Sequence, residues 1–499
     1  MTRTRWILEV SVLVALGLTA VYATIAFQNP WIAMIVAGVL GFVLMVPNLG
    51  SAAMVGQARL LRSFSWWQLL WFVMLLSSLV FRERSASEIS ASPVDGWALF
   101  RIACTLLVAA VSFFRLTFRK TNWLPFLFSG VIGIFSLFGV ISLLSVVWSV
   151  NPSWTLYRSV EFLVDIAVLA GVVATLESVE EYKKFVDWTW ILLGLLVASA
   201  WVGAVIDPAD GLFADPYIGS ALPVRLVGVM PVVASNDLSQ IGAILALVSL
   251  CRLWTDPGAQ SKKQWYRLLF AVSIITLVIT QTRGAYAAFF IGFIALLIFA
   301  RRYGLLVLGG ILGSGAGVLL LLFTNFGTKV QEFLMRGQVA EQTGNLSGRL
   351  ELWQISVRKI LEQPLTGYGG FAGSRFVVMV MAKNHLGSNV LNVYLDAMLN
   401  IGVWGLLLLL VLLGLVGWQL LRSIYRSSSS AVERSLAMEL FLAYVIVVIS
   451  SMESGNITTH PMLSFLIVLG FAEFLRRRNK FRNIRLQSVP IATDKAAFS

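Results

Sequence analysis

What constrains this chain most is a recurring apolar run about 20 residues long, the length a helix needs to cross the hydrocarbon core of a bilayer. In lipid a backbone must satisfy its own N–H and C=O groups, and a helix does so within one segment. Read with that ruler, candidate spans fall at 7–27, 30–46, 64–81, 97–114, 125–148, 157–176, 185–206, 235–253, 267–281, 284–300, 304–323, 401–421, 435–452 and 461–475. The runs at 30–46 and 284–300 are short and 97–114 carries Arg101. The expectation is therefore an all-α polytopic membrane protein with about 12–14 transmembrane helices. Composition agrees: 58% of the 499 residues are hydrophobic and 13% are charged. A soluble protein of this size, whose surface must be wetted, would not be so apolar.

The formal charge of +13 would suit a nucleic-acid binder. The basic residues, however, lie in short runs between apolar segments: Arg3/Arg5, Arg115/Arg119/Lys120, Lys262/Lys263/Arg267, Arg301/Arg302 and Arg476/Arg477/Arg478. That is the pattern of cytoplasmic loops, so no nucleic acid is expected as a partner. With the N-terminus inside, alternation makes 115–124, 177–184, 254–266, 301–303, 422–434 and the tail after 475 cytoplasmic, and nearly every basic cluster falls on that side. Arg3 and Arg5 precede a run long enough to span, which is expected to be a first span rather than a cleaved leader. Cys104 and Cys251 fall inside apolar segments, as small packing residues do.

One segment breaks the rhythm. Residues 324–400 form a long outside loop carrying Lys329, Arg336, Arg349, Arg358, Lys359, Arg375 and Lys383 against Glu332, Glu341, Glu351, Glu362 and Asp396. A basic excess outside is unexpected by default and suits an anionic ligand. Within the loop, Leu350, Trp353, Val357, Ile360 and Leu361 have the spacing of one helical face, with Ser347 as N-cap and Pro364 as stop. Arg349 then sits in the first turn, where the helix dipole disfavours a cation unless an anion binds there. Arg283, in the sequence QTRG, lies in a tight turn between two apolar runs, so its guanidinium must sit near membrane depth, where ionisable groups are costly and usually functional.

The two histidines, His385 and His460, both fall on the outer side, and a neutral imidazole is a natural base for a hydroxyl proton. Other polar groups near the outer span ends are Arg158, Asn236, Asp237 and Glu453. Glu161 and Asp165 share a helical face, a pattern that could bind a substrate group or relay protons, though pairing of Glu161 with Arg158 one turn earlier is the plainer explanation. There is no phosphate-binding glycine loop, no Cys/His metal cluster and no HExxH, so neither metal nor other cofactor is expected. The chain divides into N-terminal spans of unassigned role (1–122), a core bundle (123–323), the loop (324–400), C-terminal spans (401–476) and a basic cytoplasmic tail (477–499).

WSVNPSWTLYRS, ASNDLSQIG, TQTRGAYAAF, LSGRLELWQISVRKILEQPLTGYGGF and NVYLDAMLNIGVWG occur in this order. Together, over roughly residues 140–475, they resemble the O-antigen ligase and Wzy-type polysaccharide polymerase family, especially its exopolysaccharide-polymerase-like branch. The resemblance implies a GT-C-like helical bundle in the bacterial inner membrane. It also implies a metal-independent glycosyltransferase that moves a glycan from undecaprenyl pyrophosphate to an acceptor hydroxyl on the periplasmic face. Arg283 and Arg349 match the family's arginine motifs and are expected to bind the pyrophosphate, with His385 as base. Arg158, Asn236, Asp237, Arg375, Asn392, Tyr394, Asp396, Glu453 and His460 are expected to contact substrate. The sequence departs from the family pattern at Leu391, where a histidine commonly precedes the asparagine corresponding to Asn392. If His385 does not take that part, Asp396, Glu453 or His460 is the fallback. Expected partners are the lipid-linked glycan, a glycan or lipid A core acceptor, membrane lipids, and chain-length regulator or flippase proteins. Polymerase is slightly favoured over O-antigen ligase. A secondary anion transporter is the rival from another class, though it should show mid-membrane charges and inverted repeats.

Overall fold

The computed structural model describes residues 66–79, 86–92, 95–118, 123–214, 224–229, 231–255, 262–308, 311, 349–382, 389–427, 429–455, 457–458 and 462–487. The expected spans at 7–27 and 30–46, most of 304–323, and both histidines lie outside these residues. The long helices are α1 (Trp66–Leu79), α2 (Gly96–Phe118), α3 (Gly130–Leu144), α4 (Pro152–Thr175), α5 (Val179–Ile206), α6 (Ser235–Thr255), α7 (Lys263–Ile279), α8 (Arg283–Phe299), α9 (Arg349–Glu362), α10 (Val393–Tyr425), α11 (Ala431–Ser450) and α12 (Leu463–Gln487). With α9 set apart, each overlaps one of the expected spans, although α10 begins eight residues before the expected 401–421 and α12 runs twelve residues past the expected 461–475. The protein is an all-α polytopic membrane protein. Among the described residues, four helical segments are long and apolar enough to cross a bilayer by themselves: Gly130–Val147, Val179–Ile206, Ser235–Thr255 and Val393–Tyr425.

The helices begin where the sequence supplies caps. Asn151 accepts from the Trp154 N–H with Pro152 at the first helical position of α4, and Ser178 accepts from the Glu181 N–H at α5. Asn392 accepts from the N–H groups of Tyr394 and Leu395 at α10, and Ser430 from that of Glu433 at α11. The centre of the bundle is made by the stretches Ile241–Val248 of α6 and Leu463–Ala472 of α12, which carry small or apolar residues on every side and are surrounded by protein. Residues Ala243–Val248 and Phe465–Leu469 are almost wholly excluded from solvent. Around them, α12 packs on α3, α4, α5, α10 and α11, while α6 packs on α5, α7, α8 and α11. Two small antiparallel hairpins follow α5. In one, β1 (Leu212–Ala214) pairs with β2 (Val224–Leu226); in the other, β3 (Gly228–Val229) pairs with β4 (Val232–Val233).

Two features position the site. First, α10 is broken at Ile401 and Gly402, whose backbone leaves the helical region. The freed groups are taken up by the segment after α9: Tyr368 N–H donates to Leu399 O at 2.8 Å, Gly369 N–H to Asn400 O at 3.0 Å, and Val403 N–H to Pro364 O at 2.8 Å. Irregular backbone within a membrane protein needs such protein partners. Gly402 has φ +70°, and a Cβ there would lie 2.3 Å from Leu365 O, so the break requires glycine. The same segment is pinned from its other side, where Gly370 N–H donates to Ser145 Oγ at 2.7 Å and Trp154 Nε1–H to Phe371 O at 3.0 Å.

Second, α9 is amphipathic, but its buried face differs from the expected one. Ile355, Ser356 and Ile360 are buried, whereas Val357 is 46% and Leu361 73% exposed. Ile355 and Ile360 pack with Tyr368, Val378, Met379, Val390 and Leu399, so the docking of the 364–373 segment on α10 sets the rotation of α9. Val357, Leu361 and Leu365 form a remaining apolar side suited to lipid.

Candidate functional site

At one end of the bundle the starts of several helices meet. Helices α7 and α8 are joined by the tight turn expected from QTRG, in which Gln281 takes a positive φ of 53° and donates through Nε2 to Val224 O at 2.8 Å. Arg283 is the first residue of α8, and Arg349 the first described residue of α9. The side chain of Thr282, at the N-cap of α8, does not cap that helix. Its hydroxyl instead donates to Asn236 Oδ1 at 3.3 Å, which brings the start of α6 beside the turn.

Glu453, just after α11, completes this cluster. Its Oε2 lies 3.3 Å from Arg349 Nη1, and the two side chains are 31% and 19% exposed. The same carboxylate lies against the first turn of α8: a Cβ added at Gly284 would meet Oε2 at 2.1 Å and Cδ at 2.3 Å. The glycine beside Arg283 leaves room for that approach; a larger residue would push the carboxylate aside. The structure thus brings together the Arg283 turn, Arg349, Glu453 and Asn236, contributed by four separate elements. Asp237 also lies in the first turn of α6.

A second cluster gathers around Trp154 on α4. Arg158 is buried and pairs with Glu161, as expected, and Arg101 reaches the same carboxylate from α2, its Nη2 2.6 Å from Oε1. The Arg158 guanidinium lies 5.9 Å from the centroids of both Trp154 and Phe371 and 6.0 Å from that of Tyr157. Arg375 stands 5.0 Å from the Trp154 ring. Arg158 and Arg375, far apart in sequence, therefore share one aromatic side chain. Trp154 was not among the expected site residues; its signal was its place within the WSVNPSWTLYRS stretch.

The remaining expected residues join chain segments. Asp396 is buried and accepts from the Ser374 hydroxyl and from Thr458 Oγ1, the latter at 2.9 Å. Asn392 caps α10, and Tyr394 Oη donates to Val448 O at 3.4 Å. Val393 N–H donates to Ser451 O at 2.9 Å, so the start of α10 is tied to the turn that carries Glu453. Ser374, Asn400 and Thr458 escaped sequence reading because their partners lie on other elements. On the far side of α9, Tyr368 Oη donates to Lys359 O at 3.0 Å and contacts Glu362 Oε2 at 3.2 Å. Burial, and then the neighbouring Glu362, push the Tyr368 phenol up to about 12. Among the described residues, no three His, Cys, Asp or Glu side chains cluster as a metal site would require.

Residues 268–410 match the family model described as O-antigen ligase. No curated protein matches the chain. The matched stretch runs from α7 through α8 and α9 into α10, so the resemblance to the O-antigen ligase and Wzy-type family is borne out there. It contains Arg283, Arg349, Arg375, Asn392, Tyr394 and Asp396, whereas Arg158, Asn236, Asp237, Glu453 and His460 are contributed by flanking sequence. The match supports a membrane enzyme of the O-antigen ligase type.

Proposed function

We propose that this protein transfers a glycan from undecaprenyl diphosphate to an acceptor hydroxyl at the end of the bundle where Arg283, Arg349 and Glu453 gather. The observation that carries this reading is that Arg349 and the first turn of α8, from separate helices of the matched segment, both lie against the partly exposed Glu453 carboxylate. Guanidinium groups suit a diphosphate because their donors form charge-assisted forks. In the reaction the acceptor oxygen bonds to the anomeric carbon of the donor sugar and the bond from that carbon to the diphosphate oxygen breaks. The acceptor proton passes to a base, and the leaving lipid diphosphate carries the negative charge. Arg283 and Arg349 stabilise that charge, which grows in the transition state. His385 is the proposed base, and Arg158, Asn236, Asp237, Arg375, Asn392, Tyr394, Asp396 and His460 are assigned to the substrate or its supporting shell. Asp396 belongs to the shell, since its carboxylate already accepts from Ser374 and Thr458.

The site end faces the periplasm in this reading, with both termini cytoplasmic in the inner membrane and chain-length or flippase proteins as neighbours. Polymerisation is slightly favoured, because SGRLELW and NVYLDAMLNIG are closer to that branch. Reconstitution of the full chain with a lipid-linked repeat, with and without lipid A core, tests the proposal. Chain growth without the core identifies a polymerase, and transfer only to the core a ligase. Uptake of an anion with no glycan product would replace the reading with a transporter. Normal glycan from Arg283→Ala or Arg349→Ala would sink the diphosphate assignment, and full activity of His385→Ala would move the base elsewhere.

A further inference from the structure

Glu453 is the anomaly of the proposed site. A carboxylate does not help to bind a diphosphate; placed beside one, it repels it. Yet Glu453 is the acid that the fold brings to Arg349, and its carboxylate atoms lie where a side chain at position 284 would otherwise begin. The first turn of α8 stands at the positive end of its helix dipole. The Thr282 side chain does not cap that start; its hydroxyl is turned to Asn236 Oδ1 and to Thr280 O. The Glu453 carboxylate therefore sits between a guanidinium and a helix start, an environment suited to an anion. Its hold is loose. The contact with Arg349 is 3.3 Å, both side chains are partly exposed, and Glu453 stands in the turn that follows α11, not within the helix.

We infer that Glu453 is a resident anion in the diphosphate seat: its carboxylate holds Arg349 and covers the first turn of α8, and the donor's diphosphate binds by taking its place. The inference rests on the reading of this site as diphosphate-binding and deepens it. Displacement makes donor binding an exchange of one anion for another, so Arg349 always faces a negative partner. It also releases a carboxylate from its guanidinium only when donor is bound. Affinity for the donor is correspondingly weaker than the arginines alone would give, because the diphosphate must compete with a tethered acid.

The test is binding of inorganic pyrophosphate to the full chain purified in detergent, comparing wild type with Glu453→Gln, Glu453→Asp and Arg349→Ala. Glu453→Gln keeps the size of the side chain and removes the competing charge, so pyrophosphate should bind about tenfold more tightly, equivalent to ~1.4 kcal/mol. Glu453→Asp withdraws the carboxylate by one methylene and should give a smaller gain in the same direction. It carries the test by itself if the glutamine variant does not fold. Arg349→Ala should weaken binding. Equal or weaker binding by the Glu453 variants, with Arg349→Ala still weakening it, would overturn the displacement and leave the diphosphate site standing. Binding unaffected by Arg349→Ala, or absent from every variant, would remove the diphosphate reading and the displacement with it.

Discussion

The two ends of the bundle use the same pair of residue types in opposite ways. Away from the site, Arg252 on α6 lies 2.6 Å from Glu439 on α11 and 2.5 Å from Asp187 on α5. Arg252 and Glu439 are 6% and 2% exposed, and the Trp190 indole also donates to Glu439. At the site end, Arg349 and Glu453 lie farther apart, are several times more exposed, and belong to segments at the edges of helices. A buried charge needs a close, hydrogen-bonded partner, and once it has several it is held in place. A partly exposed pair is weakly bound and can exchange partners. The difference teaches that Arg252 is fixed in the fold by close, buried acids, while Arg349 is held by one partly exposed acid, the condition the proposed exchange with a ligand requires.

Mutation can break that comparison. The largest expected effect is at the saturated end: Glu439→Ala leaves Arg252 buried without its main partner and should cost about 3–5 kcal/mol. Thermal unfolding in detergent would show this as a large fall in transition temperature or loss of folded protein. Next comes Arg349→Ala, which should reduce glycan transfer by about 10²–10³-fold. Its effect on stability should stay within about 1 kcal/mol. A variant that unfolds as readily as Glu439→Ala would mean that both ends are structural.

Smaller effects sharpen the picture around the broken helix. Gly402→Ala places a methyl group against Leu365 O at a positive φ, and should destabilise by about 1–3 kcal/mol with transfer reduced in parallel. Tyr368→Phe removes the hydrogen bond to Lys359 O and should cost about 1 kcal/mol. The phenol's raised value carries a sign: folding favours the protonated hydroxyl. Stability from Tyr368 is therefore complete below pH 10 and is lost as the pH rises toward about 12. A wild-type melting curve that falls over that interval, and a Tyr368→Phe curve that falls less, would confirm it.

Much of this architecture was legible from the chain alone. The turn at Arg283, the helix after Ser347 and the Arg158–Glu161 pair were each read from residues at most a few turns apart, and local spacing is enough for such features. The buried face of α9 was not, because it depends on where the 364–373 segment crosses the break in α10. Nor was the second partner of Glu161, since Arg101 lies 60 residues away. Glu453 was recognised as polar and near the site, but nothing in its neighbourhood announced that it would meet Arg349 and the start of α8.

By itself the sequence determined that this protein is a helical membrane bundle and where most of its described helices lie, because a bilayer accepts few backbone forms and demands apolar runs of one length. It also located the arginines and the segment that resembles a known family. Tertiary structure alone decided which charges became mutual partners. Long-range ion pairs and the rotation of α9 depend on helix packing, and packing is set by whole surfaces meeting rather than by any spacing along the chain. That is why Arg252 is locked between two acids while Arg349 is left with a single acid at 3.3 Å among its described ion pairs.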